Sequence, residues 1–110
     1  MRTKRRYLAI RVRPESEAPP AKEVYEGILK AFSELYGSIE LIRANVKLAW
    51  SDETGGALVV RCSIGSSWKV LLAISRVTNV AGRQVALDVV RASGVIRRAK
   101  EELGRGLDHS

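Results

Sequence analysis

The residues best able to do chemistry in this chain are few. Cys62 is the only cysteine and His109 the only histidine, so an internal disulfide and a zinc site of the usual Cys/His kind are excluded. A nucleophilic cysteine needs a neighbouring base, and His109 lies in a polar end segment. We therefore expect no catalytic residues and no metal site, and a buried structural thiol at Cys62.

Basic side chains are the more abundant chemical feature. The 110 residues contain 19 Lys and Arg against 12 Asp and Glu, a net charge of +7. Residues 1–13 hold six basic and no acidic residues, and residues 61–100 hold eight basic residues against Asp88 alone, whereas the middle of the chain is acidic. A basic surface that binds a polyanion is the function this distribution favours.

Clusters of these basic residues are candidates for contacts with nucleic-acid phosphates. Arg offers a planar fork of donors to phosphate oxygens, and Lys a mobile charge. Glu101 and Glu102 follow the last cluster, so part of its charge could form local ion pairs. The candidate RNA-binding residues are Lys4, Arg5, Arg6, Arg11, Arg91, Arg97, Arg98 and Lys100.

The elements that must position these residues follow from hydrophobic periodicity. It predicts strands at 7–13, 39–50, 57–64 and 84–90, and helices at about 20–37, 66–77 and 95–103. The strand at 39–50 is open to a helical alternative, because four of its apolar residues also fit a helical spacing: Ile39, Leu41, Ile42 and Val46. Trp50 shares the parity of Val46 and Leu48, which predicts packing in the core or at the sheet edge, with stacking on a nucleotide as the alternative.

The predicted order is strand, helix, strand, strand, helix, strand. This order indicates an α+β, ferredoxin-like or RNA-recognition-like βαββαβ sandwich, with a four-stranded antiparallel sheet, two helices on one face and an extra C-terminal helix. We expect a single RNA-binding domain over residues 1–104 and a flexible tail over 105–110.

The outward face of this sheet mixes apolar and basic side chains. Because exposed apolar side chains favour association, we expect another element or another protein to cover this face. Either the last helix folds back over it or another protein docks there, and Tyr7, Val59 and Arg61 are the predicted docking residues. The third strand lacks the aromatic residues that stack on bases in an RNA-recognition motif. Trp68, at the start of a helix, could stack on a nucleotide or pack.

Membrane association is not expected. No apolar run approaches the ~20 residues of a membrane span. The start of the chain lacks the apolar stretch of a signal peptide. These features predict a cytoplasmic protein.

Three segments together resemble the ribonuclease P protein component 2 family, which archaeal ribonuclease P shares with the eukaryotic ribonuclease P and MRP particles. They are Lys4-Arg5-Arg6-Tyr7-Leu8, Leu58-Val59-Val60-Arg61-Cys62 and Ala92-Ser93-Gly94-Val95-Ile96-Arg97. Members usually have Thr where Val95 stands, which removes a hydroxyl but leaves the Ser-Gly turn in place.

The resemblance implies a non-catalytic protein subunit of ribonuclease P. In that enzyme the RNA subunit, with magnesium ions, removes the 5′ leader from precursor tRNA, and this protein would bind and stabilise the catalytic RNA. The resemblance also implies a heterotetramer with ribonuclease P protein component 3, contact with precursor tRNA in the holoenzyme, and no cofactor on the chain itself.

Three other functions are open. A phosphatase of acylphosphatase type needs a glycine-rich loop after the first strand, but residues 14–20 are acidic and proline-rich there. A generic or ribosomal RNA-binding protein of ferredoxin-like fold fits the same charge. A small-molecule regulatory domain fits the fold, although no sequence feature indicates its effector.

Overall fold

The computed structural model describes residues 4–108, with side chains for residues 4–104. Two short 3-10 turns, Glu15–Glu17 and Ile64–Ser66, join larger elements. The strands are β1 (Arg5–Arg13), β2 (Lys47–Ser51), β3 (Ala57–Ser63), β4 (Asn79–Val80), β5 (Arg83–Gln84) and β6 (Ala86–Ser93). The helices are α1 (Ala21–Tyr36), α2 (Ser38–Ala44), α3 (Ser67–Arg76) and α4 (Ile96–Asp108).

The main sheet has four strands in the order β2-β3-β1-β6, and every neighbouring pair is antiparallel. The first strand thus lies between the third and the last long strands, which is the ferredoxin-like arrangement. The predicted α+β, βαββαβ sandwich is confirmed. β4 and β5 form a small separate hairpin that the periodicity did not predict.

The main core lies between one face of the sheet and helices α1 and α3. Alternate residues of β1 and β3 point into it, as predicted. Helix α1 contributes side chains at a spacing of four residues, which places them on one face of the helix. The core includes Leu8, Ile10, Val12, Val24, Ile28, Phe32, Leu58, Val60, Val70 and Ile74.

Helix α2 occupies the segment predicted as the start of the second strand, so the strand is wrong over residues 39–44 and the helical alternative holds there. Two backbone positions define this helix. Gly37, with φ of 89°, separates it from α1, and Asn45, in the left-handed region, ends it. Gly and Asn are the residues that tolerate these conformations best. Strand β2 therefore begins only at Lys47.

Trp50 packs against hydrophobic neighbours as predicted, but on the face of the sheet opposite to the one that its parity indicates. The pairing of β2 with β3 shifts register between Leu48 and Trp50, so that Leu48 lies opposite Val60 and Trp50 opposite Val59. Such a bulge moves the next side chain to the other face of the sheet. Trp50 therefore packs in a second cluster on the outward face instead of in the main core.

The outward face of the sheet is covered by α4. Ala9 and Val59 from the sheet and Ala99 and Leu103 from the helix are fully buried in this second cluster. Of the two ways to cover this face, the chain uses its own last helix. The helix continues to Asp108, beyond the predicted end at 103. The flexibility of 105–110 stays a prediction, and residues 109 and 110 lie outside the described part. Between residues 4 and 108, no helix is long and apolar enough to span a membrane.

Replacement of Leu103 by Ala should detach or loosen α4. The Leu103 side chain is fully buried, so we expect a loss of about 3 kcal/mol in the free energy of unfolding. Urea denaturation followed by circular dichroism measures it. Val95→Ala is the control, because Val95 is 46% exposed and its replacement should change stability by less than about 0.5 kcal/mol. Equal effects of the two replacements would contradict the docking of α4.

Candidate nucleic-acid interface

The antiparallel sheet brings distant basic residues to one end. Because β1 is antiparallel to β3 and β6, its start lies beside the ends of both strands. Tyr7 is opposite Arg61 on one side and Ser93 on the other, and Arg61 is opposite Lys47. Helix α4 starts from the same end. We call this surface the basic end; it comprises Lys4, Arg5, Arg6, Lys47, Arg61, Arg91, Arg97 and Arg98.

Acidic residues concentrate at the opposite end of the sheet. Glu15 and Glu17 follow β1, and Asp52 and Glu53 lie in the turn between β2 and β3. Arg13 lies there too, 2.8 Å from the Asp88 carboxylate, and this hydrogen bond raises the pKa of Arg13. The two ends of the sheet therefore carry opposite charge, an asymmetry that favours a defined orientation on a polyanion.

Most side chains of the basic end have no acidic partner. Among the described side chains, Arg97 alone of this group forms an ion pair, a long one of 3.9 Å with Glu101. That pair is exposed and contributes little, so it leaves Arg97 available to a phosphate. The other residues of the basic end that were predicted to bind phosphates are exposed or half-buried. They are Lys4, Arg5, Arg6, Arg91 and Arg98.

Two predicted phosphate-binding residues have other roles in the structure. Arg11 is only 7% exposed, and its guanidinium donates hydrogen bonds to the carbonyl oxygen of Leu103 at 3.2 Å and of Glu102 at 3.4 Å. The prediction that Arg11 contacts RNA is therefore wrong, because this side chain holds α4 to the sheet. Lys100 lies outside the basic end, with its Nζ atom 5.2 Å from the ring centroid of Trp50.

The three predicted docking residues all lie on the outward face. Val59 is fully buried beneath α4, and Tyr7 packs against the same cluster. Arg61 lies at the basic end, where its Nε atom is buried and has no hydrogen-bond partner among the described residues. The first two residues thus dock the chain's own helix, whereas Arg61 lines a pocket together with Arg5.

Cys62 is the buried structural thiol that the sequence predicts. It belongs to the main core and is fully buried. Burial raises the pKa of Cys62 to about 11, although the charge of Arg6 acts in the opposite direction. A thiol that stays protonated at neutral pH is a poor nucleophile. Within residues 4–108, no group of three His, Cys, Asp or Glu side chains is arranged to hold a metal ion.

A second exposed surface was missed by the sequence reasoning. Leu35, Ile39, Trp68 and Leu72 are exposed at the end of α1, on α2 and on α3, and we call them the apolar patch. The rings of Tyr36 and Trp68 are 6.2 Å apart and join α1 to α3. Trp68 and Leu72 share a helical face because they are four residues apart. This spacing is the one feature of the sequence that could have indicated the patch.

An ion pair fixes the helices beneath the apolar patch. The Nζ atom of Lys69 on α3 donates a hydrogen bond of 2.9 Å to Glu40 on α2. This hydrogen bond lowers the pKa of Glu40, with a smaller contribution from Arg43. Lys69 also lies 5.5 Å from the ring centroids of Tyr36 and Trp68. The patch is therefore an ordered surface that joins three helices.

The fold and its basic end define an α+β sandwich domain suited to a polyanionic partner. The model of the Rpp14/Pop5 family matches residues 6–104, and the chain belongs to this family. The resemblance seen in the three sequence segments is thereby confirmed.

Several archaeal relatives bear the name "Ribonuclease P protein component 2". That of Methanoculleus marisnigri is 34% identical over 103 residues, which are 94% of this chain and 63% of the relative. The relative from Methanosphaerula palustris is 29% identical, and the match again covers 94% of this chain and 63% of the relative. That of Pyrococcus furiosus is 28% identical, over 93% of this chain and 84% of the relative. The chain thus spans less than two thirds of the length of the first two relatives.

A solved structure has the same fold. One chain in a cryo-EM structure of yeast Ribonuclease MRP superimposes with a TM-score of 0.65 and 11% sequence identity. The match covers 100% of this chain and 98% of that one. The sandwich with its extra helices is therefore a known arrangement.

Cys62 provides a test of the buried thiol. Because its pKa is raised to about 11 by burial, the native protein should react with iodoacetamide at pH 8 on the order of a hundredfold more slowly than an ordinary thiol. Mass spectrometry of quenched samples measures the rate, and since the chain has one cysteine, the product is unambiguous. The urea-unfolded chain is the control. Rapid alkylation of the folded chain would show an accessible thiolate.

Proposed function

We propose that the chain is a protein subunit of ribonuclease P that binds the RNA subunit through the basic end. The observation that carries the proposal is the convergence of unpaired basic side chains from β1, β6 and α4 on one end of the sheet. Their charge can replace counterions on the RNA backbone. Membership of the Rpp14/Pop5 family and the names of the archaeal relatives support the same function.

In this proposal the protein stabilises a catalytic RNA that removes the 5′ leader from precursor tRNA. The magnesium ions that assist cleavage are held by the RNA. The chain's own reactive groups support a non-catalytic role, since the Cys62 thiol is buried with a raised pKa and Glu40 is held by Lys69. Cleavage of precursor tRNA by the protein free of RNA would overturn this assignment. The cytoplasmic location stays a prediction.

We also propose that ribonuclease P protein component 3 docks on the apolar patch. The outward face of the sheet is closed by α4, so it offers no room for a partner there. Eight large hydrophobic side chains are exposed in the described residues, and half of them form the patch. The patch adjoins the basic end, because the Ser63 hydroxyl at the end of β3 donates a hydrogen bond to the Arg43 carbonyl of α2. A protein bound there would lie beside the RNA, as in a heterotetramer held on the RNA.

Replacement of Arg5, Arg6, Arg97 and Arg98 by Ala tests RNA binding by the basic end. The variant should bind ribonuclease P RNA more weakly, and each lost phosphate contact should reduce the slope of log affinity against log salt by about 0.7 to 0.9. Filter binding or fluorescence anisotropy across a salt series measures the slope, and circular dichroism checks the fold.

A matched control removes four positive charges elsewhere. Lys22, Lys30, Arg76 and Arg83 lie on α1, α3 and β5, away from the basic end, and are exposed. Their replacement by Ala changes the net charge equally but should leave most of the salt slope intact. Equal slopes for the two quadruple variants would mean that RNA binding follows net charge and not the basic end.

The double replacement Trp68→Ser with Leu72→Ser tests the apolar patch. These side chains are 56% and 50% exposed, so the fold should survive. Affinity for component 3 should fall at least about tenfold, because exposed Trp and Leu clusters dominate protein interfaces. Isothermal titration calorimetry with the purified partner measures it. Val95→Ser is the control, as an exposed apolar residue outside the patch; no loss in the double variant would refute this docking site.

A further inference from the structure

A pocket opens at the basic end, beside the turn that joins β6 to α4. Its volume is about 720 Å³, within the range of ligand-binding clefts. Residues from four separated segments meet there, and none of them is acidic. The lining comprises Arg5, Tyr7, Asn45, Arg61, Cys62, Ser63 and Gly94.

Arg61 is the residue in this pocket with the least satisfied side chain. Its Nε atom is buried, and no described residue accepts a hydrogen bond from it. A buried donor without a partner destabilises a fold, and more so on a charged group. Lys47 lies directly opposite Arg61 on the neighbouring strand, where like charges repel. Among the described side chains no carboxylate forms an ion pair with either residue. An anion at this place would relieve both costs.

The other polar groups of the pocket are suited to an oxyanion. Arg5 is exposed at the start of β1, and Ser63 is its direct neighbour on β3. Asn45 is exposed at the end of α2 and brings an amide that can donate. Two guanidinium groups and a neutral amide donor around one opening are an arrangement that binds phosphate oxygens, because Arg can donate two parallel hydrogen bonds.

We propose that this pocket binds one phosphate group, with Arg5 and Arg61 as its charged donors. Turning the Arg61 guanidinium about its last side-chain bonds presents the Nε–H edge to the phosphate. The site goes beyond the general charge of the basic end, because it selects one phosphate by geometry. Its natural source rests on the proposed function: the phosphate belongs to RNA, either within the backbone or at a 5′ end.

The first experiment uses the full chain and inorganic phosphate. NMR spectra of the arginine Nε–H groups follow a titration with phosphate at constant ionic strength, with sodium chloride as the matched salt. The Arg61 and Arg5 signals should shift and saturate together, whereas the signal of Arg76, exposed at the end of α3, should not. No saturable change at Arg61 would overturn the proposal.

The second experiment uses variants and a short RNA. Arg61→Gln should weaken phosphate binding about tenfold, the loss of one charge-assisted contact. Arg61→Lys keeps the charge but lacks the fork, so it should recover only part of the affinity. Arg76→Gln is the control with the same change in charge. Should Arg61→Gln fail to fold, Arg5→Gln tests the same pocket from an exposed position.

One oligoribonucleotide with and without a 5′ phosphate distinguishes the two sources. Tighter binding of the phosphorylated form, lost in Arg61→Gln, assigns the pocket to a 5′ end. Equal binding of both forms, weakened equally by Arg61→Gln, assigns it to the backbone. Binding of both forms that is unaffected by Arg61→Gln would refute the pocket.

The two proposals fail separately. If Arg61 binds phosphate but the quadruple arginine variant keeps its salt slope, the pocket stands and the proposed RNA-binding surface does not. If the salt slope falls but Arg61 shows no phosphate binding, the surface stands and the pocket does not.

Discussion

The structure depends on the burial of strand β1 on both of its faces. Residues 8–12 are buried without interruption, with Leu8, Ile10 and Val12 against α1 and α3 and with Ala9 against α4. A strand of this kind cannot be covered by one helical layer, so α4 is needed to complete the domain. Arg11 shows how closely the layers meet, because its guanidinium is satisfied mainly by carbonyl oxygens of α4.

Covering both faces decides where a polyanion can bind. In an RNA-recognition motif the open face of the sheet carries aromatic residues that stack on bases. Here that face is occupied by Ala99 and Leu103 of α4, and the end of the sheet remains. The antiparallel order places the starts of β1 and β2 and the ends of β3 and β6 at that end. Basic residues that are far apart in the sequence therefore form one surface, with no need for a long basic helix.

The sequence predicted the fold well wherever one face of an element was buried. In strands β1 and β3 the side chains that point into the main core recur at every second residue, and in helices α1 and α3 they recur at helical spacing. It failed at α2, because Ile39 and Ile42 are apolar yet exposed. The spacing of these residues therefore does not indicate which face of the element packs against the core. It failed at Trp50, because a bulge reverses parity without any mark in the sequence. The charge of Arg11 indicated a phosphate contact, and only the position of α4 shows that the residue is internal.

The placement of the basic residues, in contrast, follows from topology more than from composition. Net charge alone indicates a polyanionic partner, but it does not show which surface of the protein would bind it. Once the order of the strands is known, the unpaired residues lie at one end and Arg13 with its partner Asp88 at the other. Arg5 and Arg13 share the parity of β1 and are both exposed, and they lie at its two ends. The direction of a single strand thus separates basic residues without an ion pair among the described side chains from one that is already neutralised within the protein.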